Sequence, residues 1–399
     1  MEFSETFYKF IKDHQDSDPH NLIIRRGGVG LSDEEYREAV LQIECRRRTR
    51  HKLSTIVGNE EFLFPDTLSS EQASDERIAE FHSTLLSGGE SVLDMTAGLG
   101  IDAMALSGKA SEVTAIEIDE RKARFLRHNA ELRGLKNFTI INGDSIEYLR
   151  NTQSEYDIIY IDPARRKTDN SRAYGFRDCE PDITENLPLM LKHGANIFVK
   201  SSPMLDIKET IREFPTMHTL YIVSLKGECK EILLGIGRER TKLKIVAMDL
   251  EKGIRYELEE SDLWNNEDVS LTSEDETFEG RYLYEPNASI MKCGCWRNLS
   301  ERYPGLKKLS KNTHLFMHEE VLKDFPGRAL RIEKILNKQA LKGMKGERIN
   351  VTTRNYICRP EELKKRYGIK DGGEKFIYGA KYGAKERPLL LKCQPITNI

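Results

Sequence analysis

Four acidic residues, each placed where a short apolar segment ends, are the residues of this sequence best suited to chemistry. They are Asp94, Glu117, Asp144 and Asp162. Apolar segments separated by helical stretches indicate parallel strands, and ligands bind at the carboxyl ends of such strands. Core packing alone rarely produces four such coincidences, so the sequence predicts a ligand site along that edge of a sheet.

A turn of small residues follows the first of these acids. Its members are Thr96, Ala97, Gly98 and Gly100, and Asp102 follows as a helical pattern begins. Glycines let the backbone approach a ligand closely because they have no Cβ atom. An acid about 20 residues further on, here Glu117, can accept hydrogen bonds from both hydroxyls of a ribose. The stretch predicts a site for an adenosine-containing cofactor; a strand–turn–helix that binds no ligand is the alternative.

The acid before the turn helps to select the cofactor. The glycine spacing also fits a dinucleotide fingerprint, but Asp94 would face a pyrophosphate unfavourably and suits a sulfonium and an ammonium group. The stretch resembles motif I of class I S-adenosyl-L-methionine-dependent methyltransferases, with Thr96 where the first glycine usually stands. The resemblance implies that the ribose binds Glu117 beside Ile118, and that the adenine binds Asp144 beside Ser145. Gln72 and Ser74 precede the motif and are expected at the methionine end of the cofactor, with plain helix capping as the alternative.

The fourth acid opens a second motif, Asp162-Pro163-Ala164-Arg165-Arg166. It resembles motif IV of amino and RNA methyltransferases, and this implies catalytic roles for Asp162, Pro163 and Arg165. The Asp162 carboxylate, which is also expected to contact the cofactor, and the Pro163 carbonyl would accept hydrogen bonds from a target amine. Arg165 and Arg166 would hold a phosphate or stack on a base; the alternative is a strand-end turn with solvated arginines.

Two features of the sequence bear on which chemical group is methylated. No aromatic residue follows Ala164 directly, so a stacking ring would have to come from Tyr174 or Phe176. The segment Lys200-Ser-Ser-Pro-Met lacks the cysteine that methylation of uracil C5 usually needs. We therefore expect N- or O-methylation, with a base nitrogen preferred. A base inside a duplex would have to be flipped out.

The order of the elements predicts an α/β fold with a seven-stranded, Rossmann-like class I methyltransferase sheet, six strands parallel and one edge strand reversed. An N-terminal helical cap is expected before it and α+β domains after it. The whole chain resembles a bacterial methyltransferase family with a ferredoxin-like insert and a C-terminal THUMP-like domain, through pieces such as 284–288, 353–355 and 368–373. The expected division is 1–65 (cap), 66–250 (methyltransferase), 251–320 (acidic linker and ferredoxin-like unit) and 321–399 (THUMP-like).

Charge is distributed unevenly along the chain. The net charge is −3, yet residues 301–399 hold 23 Lys and Arg against 11 Asp and Glu. A basic module on an acidic body is typical of nucleic-acid binders, and the family resemblance implies tRNA or rRNA; a solvated lysine-rich face is the alternative. The expected RNA contacts, chosen by charge and position, are Arg166, Arg328, Lys345, Arg354, Lys364, Lys365 and Arg366.

Composition sets the remaining limits. No apolar run approaches the ~20 residues that cross a bilayer, and no signal peptide is expected. Seven cysteines without framework spacing suit a reducing cytoplasm. Cys293 and Cys295 lack the spacing of a zinc knuckle, so no metal is expected. The functional alternatives are a small-molecule or protein methyltransferase, a non-catalytic RNA-binding protein and a nicotinamide oxidoreductase. The oligomeric state stays open.

Overall fold

The computed structural model describes residues 3–24, 30–165, 175–264 and 269–396, except for the side chain of Arg165. Its contacts divide the chain into two compact units. One unit comprises Met1–Asp206, Thr210–His218 and Ile232–Lys242, and the other comprises Ile207–Glu209, Thr219–Glu231 and Leu243–Ile399.

The first unit begins with helices, as predicted. They are α1 (Glu5–Asp13), α2 (Pro19–Ile24), α3 (Asp33–Thr49), α4 (Ser54–Val57), α5 (Thr67–Gln72) and α6 (Glu76–Ser83). Ser32 followed three residues later by Glu35 predicts a capping box at the start of α3, and the structure confirms it: the Glu35 N–H donates to the Ser32 hydroxyl, while the Glu35 carboxylate accepts from the Ser32 N–H. Apolar residues of α1 and α3 pack together with Leu63 and Phe125 in one core cluster.

Arg46, near the end of α3, anchors the segment that follows the helix. Its guanidinium donates hydrogen bonds to the carbonyls of Val57, Asn59, Glu60 and Phe62. The side chain is buried, 3% exposed, so these carbonyls take the place of water. A basic cluster at a helix end, such as Arg46-Arg47-Arg48, predicts either an interaction with the helix dipole or a phosphate contact. At Arg46 the structure shows a third role, as a buried support of the loop.

A large sheet follows, with helices between its strands. The strands are β1 (Ser91–Asp94), β2 (Glu112–Glu117), β3 (Phe138–Asn142), β4 (Tyr156–Ile161), β7 (Gly194–Ser201), β8 (Met217–Leu225), β9 (Glu228–Gly237), β10 (Lys244–Asp249) and β11 (Ile254–Glu259); β5 (Ala164–Arg165) and β6 (Cys179–Glu180) form a separate short pair. The helices are α7 (Ile101–Leu106), α8 (Glu120–Leu132), α9 (Ser145–Asn151), α10 (Ile183–His193), α11 (Ile207–Glu213) and α12 (Glu260–Trp264).

The strand order confirms the methyltransferase-type sheet and extends it. Within the described residues the order is β11-β10-β8-β9-β7-β4-β1-β2-β3. β1, β2, β3, β4 and β7 pair in parallel, and β9 runs antiparallel to β7. The reversed strand was expected at the edge, but it lies between β7 and β8. The seven expected strands gain two more, because β10 pairs in parallel with β8 and β11 pairs with β10.

The second unit contains a further mixed sheet. Its strands are β12 (Tyr282–Pro286), β13 (Lys307–Ser310), β14 (Thr313–His318), β15 (Gly327–Ile335), β16 (Asn350–Thr353), β17 (Phe376–Tyr382) and β18 (Arg387–Pro395), in the order β13-β14-β12-β15-β18-β17-β16. Its helices are α13 (Ala288–Cys293), α14 (Trp296–Arg302), α15 (Lys338–Gly343) and α16 (Pro360–Tyr367). Buried residues of β12, β14, β15, β17 and β18 share one core cluster.

The sequence of residues 332–343 predicts a helix, and the first part of this prediction is wrong. β15 continues to Ile335 because it pairs with β18 as far as Leu391, and helix begins only at Lys338. The acidic stretch 257–279 is expected from its composition to be a solvated linker or edge. Glu257 and Glu259 lie in β11, which is the edge strand of the large sheet, so the second alternative applies there. Further along, Glu276 forms an ion pair with Lys307 at 3.1 Å.

Within the described residues, every helix is too short or too polar to span a lipid bilayer.

Candidate functional site

The turn after β1 has the backbone that the motif requires. Gly98 and Gly100 both have positive φ, 55° and 82°, a region that favours glycine. A Cβ atom on Gly100 would lie 2.1 Å from the Leu126 side chain. Gly100 is therefore fixed both by conformation and by its contact with α8, and α7 begins directly after it.

Thr96 stands where the methyltransferase motif usually has its first glycine, and the structure gives a reason. Its hydroxyl accepts a hydrogen bond from the Asp162 N–H at 2.8 Å. The threonine thus joins the turn after β1 to the end of β4. The departure from the motif adds a contact between the two predicted motifs.

Asp94 is buried at the end of β1, 1% exposed. Its carboxylate accepts the Thr96 N–H at 2.9 Å. Burial raises the pKa of Asp94 to about 8; the Thr96 N–H opposes this rise, and the carboxylates of Asp102 and Asp162 add to it. A cation bound beside Asp94 would stabilise the ionised carboxylate and lower this pKa.

Glu117 connects the ends of two strands. One carboxylate oxygen accepts from the Gly98 N–H and the other from the Asp119 N–H, both at 2.8 Å. Each oxygen keeps a free lone pair for a ligand hydroxyl. Asp144 caps α9 by accepting from the Ile146 N–H at 2.8 Å through a single oxygen, Oδ1.

A cluster of polar side chains lies where β4 and β7 end. Lys200 Nζ lies 2.7 Å from Oδ2 of Asp162, 2.8 Å from Oγ of Ser74 and 3.7 Å from Oδ2 of Asp102. Asp102 also accepts from the Ser74 hydroxyl at 2.6 Å and pairs with His82 Nδ1 at 2.9 Å. Burial would raise the pKa of Asp102, but Lys200, His82 and Ser74 together hold it below its usual range.

Helix capping does not account for Ser74. The N-cap of α6 is Asp75, whose side chain accepts the Arg77 N–H. Ser74 instead directs its hydroxyl to Asp102. The capping alternative is therefore wrong for this residue.

The residues after Asp162 are described only in part. The backbone of Arg165 pairs with Cys179 in the short β5–β6 ladder. The side chain of Arg165, and Arg166 and Tyr174 as a whole, lie outside the described residues. Phe176 is 2% exposed and packs edge-to-face on Phe214 with ring centroids 4.8 Å apart. It is thus not available to stack on a base, which corrects that part of the prediction.

A cavity of about 1030 Å³ opens along the strand ends. All the residues predicted to bind the cofactor line it: Gln72, Ser74, Asp94, Thr96, Ala97, Gly98, Gly100, Asp102, Glu117, Ile118, Asp144, Ser145 and Asp162, together with Pro163. Lining residues that sequence reasoning missed include Lys122, Ile146, Glu180, Asp182 and Asn186. Lys200 and His82 were also missed as members of the site. A lysine directly after the apolar run 197–199 of a predicted parallel strand was the signal available for Lys200.

The residues predicted to contact RNA in the second unit fall into two groups. We call the first group the basic end, because it lies near the start of β16 and β17 and consists of Lys345, Lys364, Lys365 and Arg366. The segment after α15 and the segment after α16 are joined there by the hydrogen bond from the Gly346 N–H to the Gly368 carbonyl, at 2.8 Å. Lys364 pairs with Asp371 at 2.7 Å, while Lys345, Lys365 and Arg366 are exposed.

Arg328 and Arg354 form the other group, around Glu285. Arg354 forms an ion pair with Glu285 at 2.8 Å, and the Tyr378 hydroxyl donates to the same carboxylate at 2.6 Å. Arg328 lies over the Phe376 ring, 5.3 Å from its centroid. Arg354 therefore neutralises a carboxylate that is only 8% exposed, a structural role that charge and position alone did not predict.

The fold and the site together define the class, a class I methyltransferase fold with its glycine turn and its acidic strand ends. Family models match in three segments: "Conserved hypothetical protein 95" over residues 77–217, a ferredoxin-like domain over 282–326 and a THUMP domain-like module over 327–395. A solved structure from Porphyromonas gingivalis W83, described as a candidate methyltransferase, is 30% identical, with a TM-score of 0.85 and both chains covered over 100% of their length. The chain belongs to this bacterial methyltransferase family with ferredoxin-like and THUMP-like domains.

Curated relatives match over shorter segments. An uncharacterised RNA methyltransferase of Mycoplasma mobile is 34% identical over 77 residues, 19% of this chain and 21% of the relative. The ribosomal RNA small subunit methyltransferase J of Francisella tularensis subsp. novicida is 27% identical over 123 residues, 29% of this chain and 47% of the relative. The chain thus spans less than half the length of either relative.

Proposed function

We propose that this chain is an S-adenosyl-L-methionine-dependent methyltransferase that modifies a base nitrogen in tRNA or rRNA. The observation that carries the proposal is that one cavity, of about 1030 Å³, is lined by both predicted motifs. Its volume lies at the upper end of the ~300–1,000 Å³ of ligand sites, which leaves space for a cofactor and an acceptor group. The names of the RNA methyltransferases matched in part by this chain support the acceptor class.

The residues present fit the cofactor. Asp94 is a buried carboxyl group that a cation would stabilise in its ionised form, and S-adenosyl-L-methionine carries two cationic groups. Glu117 keeps lone pairs for the ribose. Ile118, a cavity-lining residue that is 71% exposed, offers an apolar face to the adenine beside Ile146. Asp144 keeps its Oδ2 for the adenine amino group. When bound, the cofactor supplies a methyl group on a positively charged sulfur.

The chain itself then has to position the acceptor. The Asp162 carboxylate and the Pro163 carbonyl accept N–H bonds, which directs the nitrogen lone pair into the cavity. Holding two reactants in line accounts for much of the rate enhancement in such transfers. Arg165 and Arg166 are proposed to hold the RNA near the reacting base.

The THUMP-like module is proposed to bind RNA through its basic end. Exposed lysines and arginines neutralise phosphates, and this makes binding strongly dependent on salt. Arg328 and Arg354 are kept as weaker candidates because their side chains already contact Phe376 and Glu285. The seven cysteines all lie in described residues and form no disulfide with one another; this supports the proposed location in the reducing cytoplasm.

Two measurements on the whole chain test the proposal. Calorimetry with S-adenosyl-L-methionine should detect binding that Glu117→Ala abolishes. Methyl groups from labelled cofactor should then appear in the RNA fraction, and not in the protein or small-molecule fraction, of an extract from cells that lack the gene. Label in one of the other fractions would favour a different acceptor. RNA binding without cofactor binding would favour a non-catalytic RNA-binding protein.

A further inference from the structure

The position of Lys200 directly after the apolar core of β7 calls for a chemical reason. Its side chain is only 13% exposed, and lysine is rarely buried unless it is paired. The neighbouring residue Val199 is in register with Ile161 of β4. This brings the lysine beside Asp162, the first residue after β4, and accounts for the 2.7 Å separation between Nζ and Oδ2.

The contacts of Lys200 connect two parts of the site. Its ammonium group donates to Asp162, the acid of the second motif, and to Ser74, which precedes the first. Ser74 in turn donates to Asp102. Asp162, Ser74 and Asp102 line the cavity, whereas Lys200 is not among the described residues that line it. The lysine thus supports the cavity wall instead of facing a ligand.

This contact fixes the orientation of the Asp162 carboxylate. Oδ2 of Asp162 accepts the strong, charge-assisted bond from Lys200. The carboxylate is held in one orientation while its side chain stays 41% exposed. Asp162 also lines the cavity, so the contact with Lys200 sets how this carboxylate is presented to a ligand there.

We propose that Lys200 is a positioning residue for methyl transfer: it fixes the Asp162 carboxylate in the orientation that meets the N–H of the acceptor base. This inference rests on the proposed function. It adds a role for a residue outside both motifs, and it makes the activity of Asp162 depend on a lysine on the adjacent strand.

The test compares Lys200→Met, Lys200→Arg, Asp162→Asn and the double variant Lys200→Met/Asp162→Asn, with exposed Lys109→Met as the control. We expect Lys200→Met to lower kcat about 30-fold or more with little change in KM for RNA, and Lys200→Arg to recover part of that loss. If Lys200 acts through Asp162, the double variant should be no slower than Asp162→Asn.

The outcomes separate this inference from the proposed function. If the wild type transfers methyl groups, two results would overturn the role of Lys200 alone. One is a Lys200→Met variant that is as active as the wild type, and the other is additive losses of activity in the double variant. If the wild type transfers no methyl group to RNA, the affinity for S-adenosyl-L-methionine is measured instead for the wild type, Lys200→Met, Asp162→Asn and the double variant. Non-additive changes would then support the coupling of Lys200 to Asp162, and additive changes would overturn it.

Discussion

Ser74 donates a hydrogen bond to the carboxylate of Asp102 over 2.6 Å, which joins the segment before α6 to the first turn of α7. Replacement of Ser74 by alanine leaves Asp102 and Lys200 each without one partner. We expect the affinity for S-adenosyl-L-methionine to fall about 10-fold, the effect of losing one hydrogen bond to a charged group. Calorimetry measures this, with Ser83→Ala at the end of α6 as the matched control. Equal affinities for both variants would contradict the role of Ser74.

Asp94 should make cofactor binding depend on pH. Burial raises the pKa of Asp94 to about 8, so below that pH the free protein holds a proton on the carboxyl group. A bound cation favours the ionised form, and binding should therefore release up to about one proton near pH 6.5. Calorimetry in buffers of different ionisation enthalpy counts that proton, and Asp94→Asn should not release it. Affinity that stays constant between about pH 6 and pH 9 would contradict this linkage.

The same carboxyl group should affect the stability of the ligand-free protein. A raised pKa means that the native state binds more protons than the unfolded chain between about pH 4 and about pH 8. The free energy of unfolding contributed by Asp94 is therefore fully present at low pH and is lost as the pH rises through that window. Asp94→Asn should gain stability relative to the wild type as the pH increases, measured by urea unfolding. A difference between the two proteins that does not change with pH would contradict the burial argument.

Arg46 should contribute to stability and not to catalysis. Arg46→Met would leave the carbonyls of Val57, Asn59, Glu60 and Phe62 without their present donor. We expect a loss of about 3 kcal/mol in the free energy of unfolding. Only the contact with the Phe62 carbonyl is fully buried, and an unpaired buried polar group costs roughly 1–3 kcal/mol; the other three carbonyls are partly buried and can turn to water. Arg50→Met, at an exposed ion pair with Asp16, should cost less than about 0.5 kcal/mol. Equal losses for both variants would contradict the proposed support of the loop.

The two groups of basic residues in the second unit should behave differently. Lys365→Gln/Arg366→Gln should weaken RNA binding and reduce the slope of log K against log salt by about 0.7–0.9 for each phosphate that the variant no longer neutralises, with little effect on stability. Arg354→Met should instead destabilise the protein by about 2 kcal/mol, because it removes the cation from buried Glu285. Filter binding across a salt series and urea unfolding measure the two effects. A large stability loss in the double variant, or none in Arg354→Met, would contradict this division.

The sequence was most informative where local chemistry decides the structure. The capping box of α3, the glycine turn after β1 and the acids at the strand ends are local signals. Proline at position 360 and glycine at position 368 predict a helix between them, and α16 has these bounds, Pro360–Tyr367. The predicted cofactor residues line one cavity because parallel strands bring their carboxyl ends to the same edge of the sheet.

What the sequence could not show depends on pairing between distant segments. β10 and β11 extend the large sheet through long-range partners, and β15 continues past Ile332 because β18 pairs with it. Lys200 and His82 join the site only when strands and helices far apart in sequence come together. Arg46 and Arg354 read as surface charges until the structure shows the carbonyls and the carboxylate that they contact.

The most direct measurement is the transfer of labelled methyl groups from S-adenosyl-L-methionine to total RNA from a strain that lacks this gene, by the wild type and by Asp162→Ala. The account predicts label in one class of RNA, tRNA or rRNA, and a loss of about 100-fold or more in the variant. An unlabelled RNA fraction in the presence of a wild-type protein that binds the cofactor would contradict the claim that RNA is the acceptor.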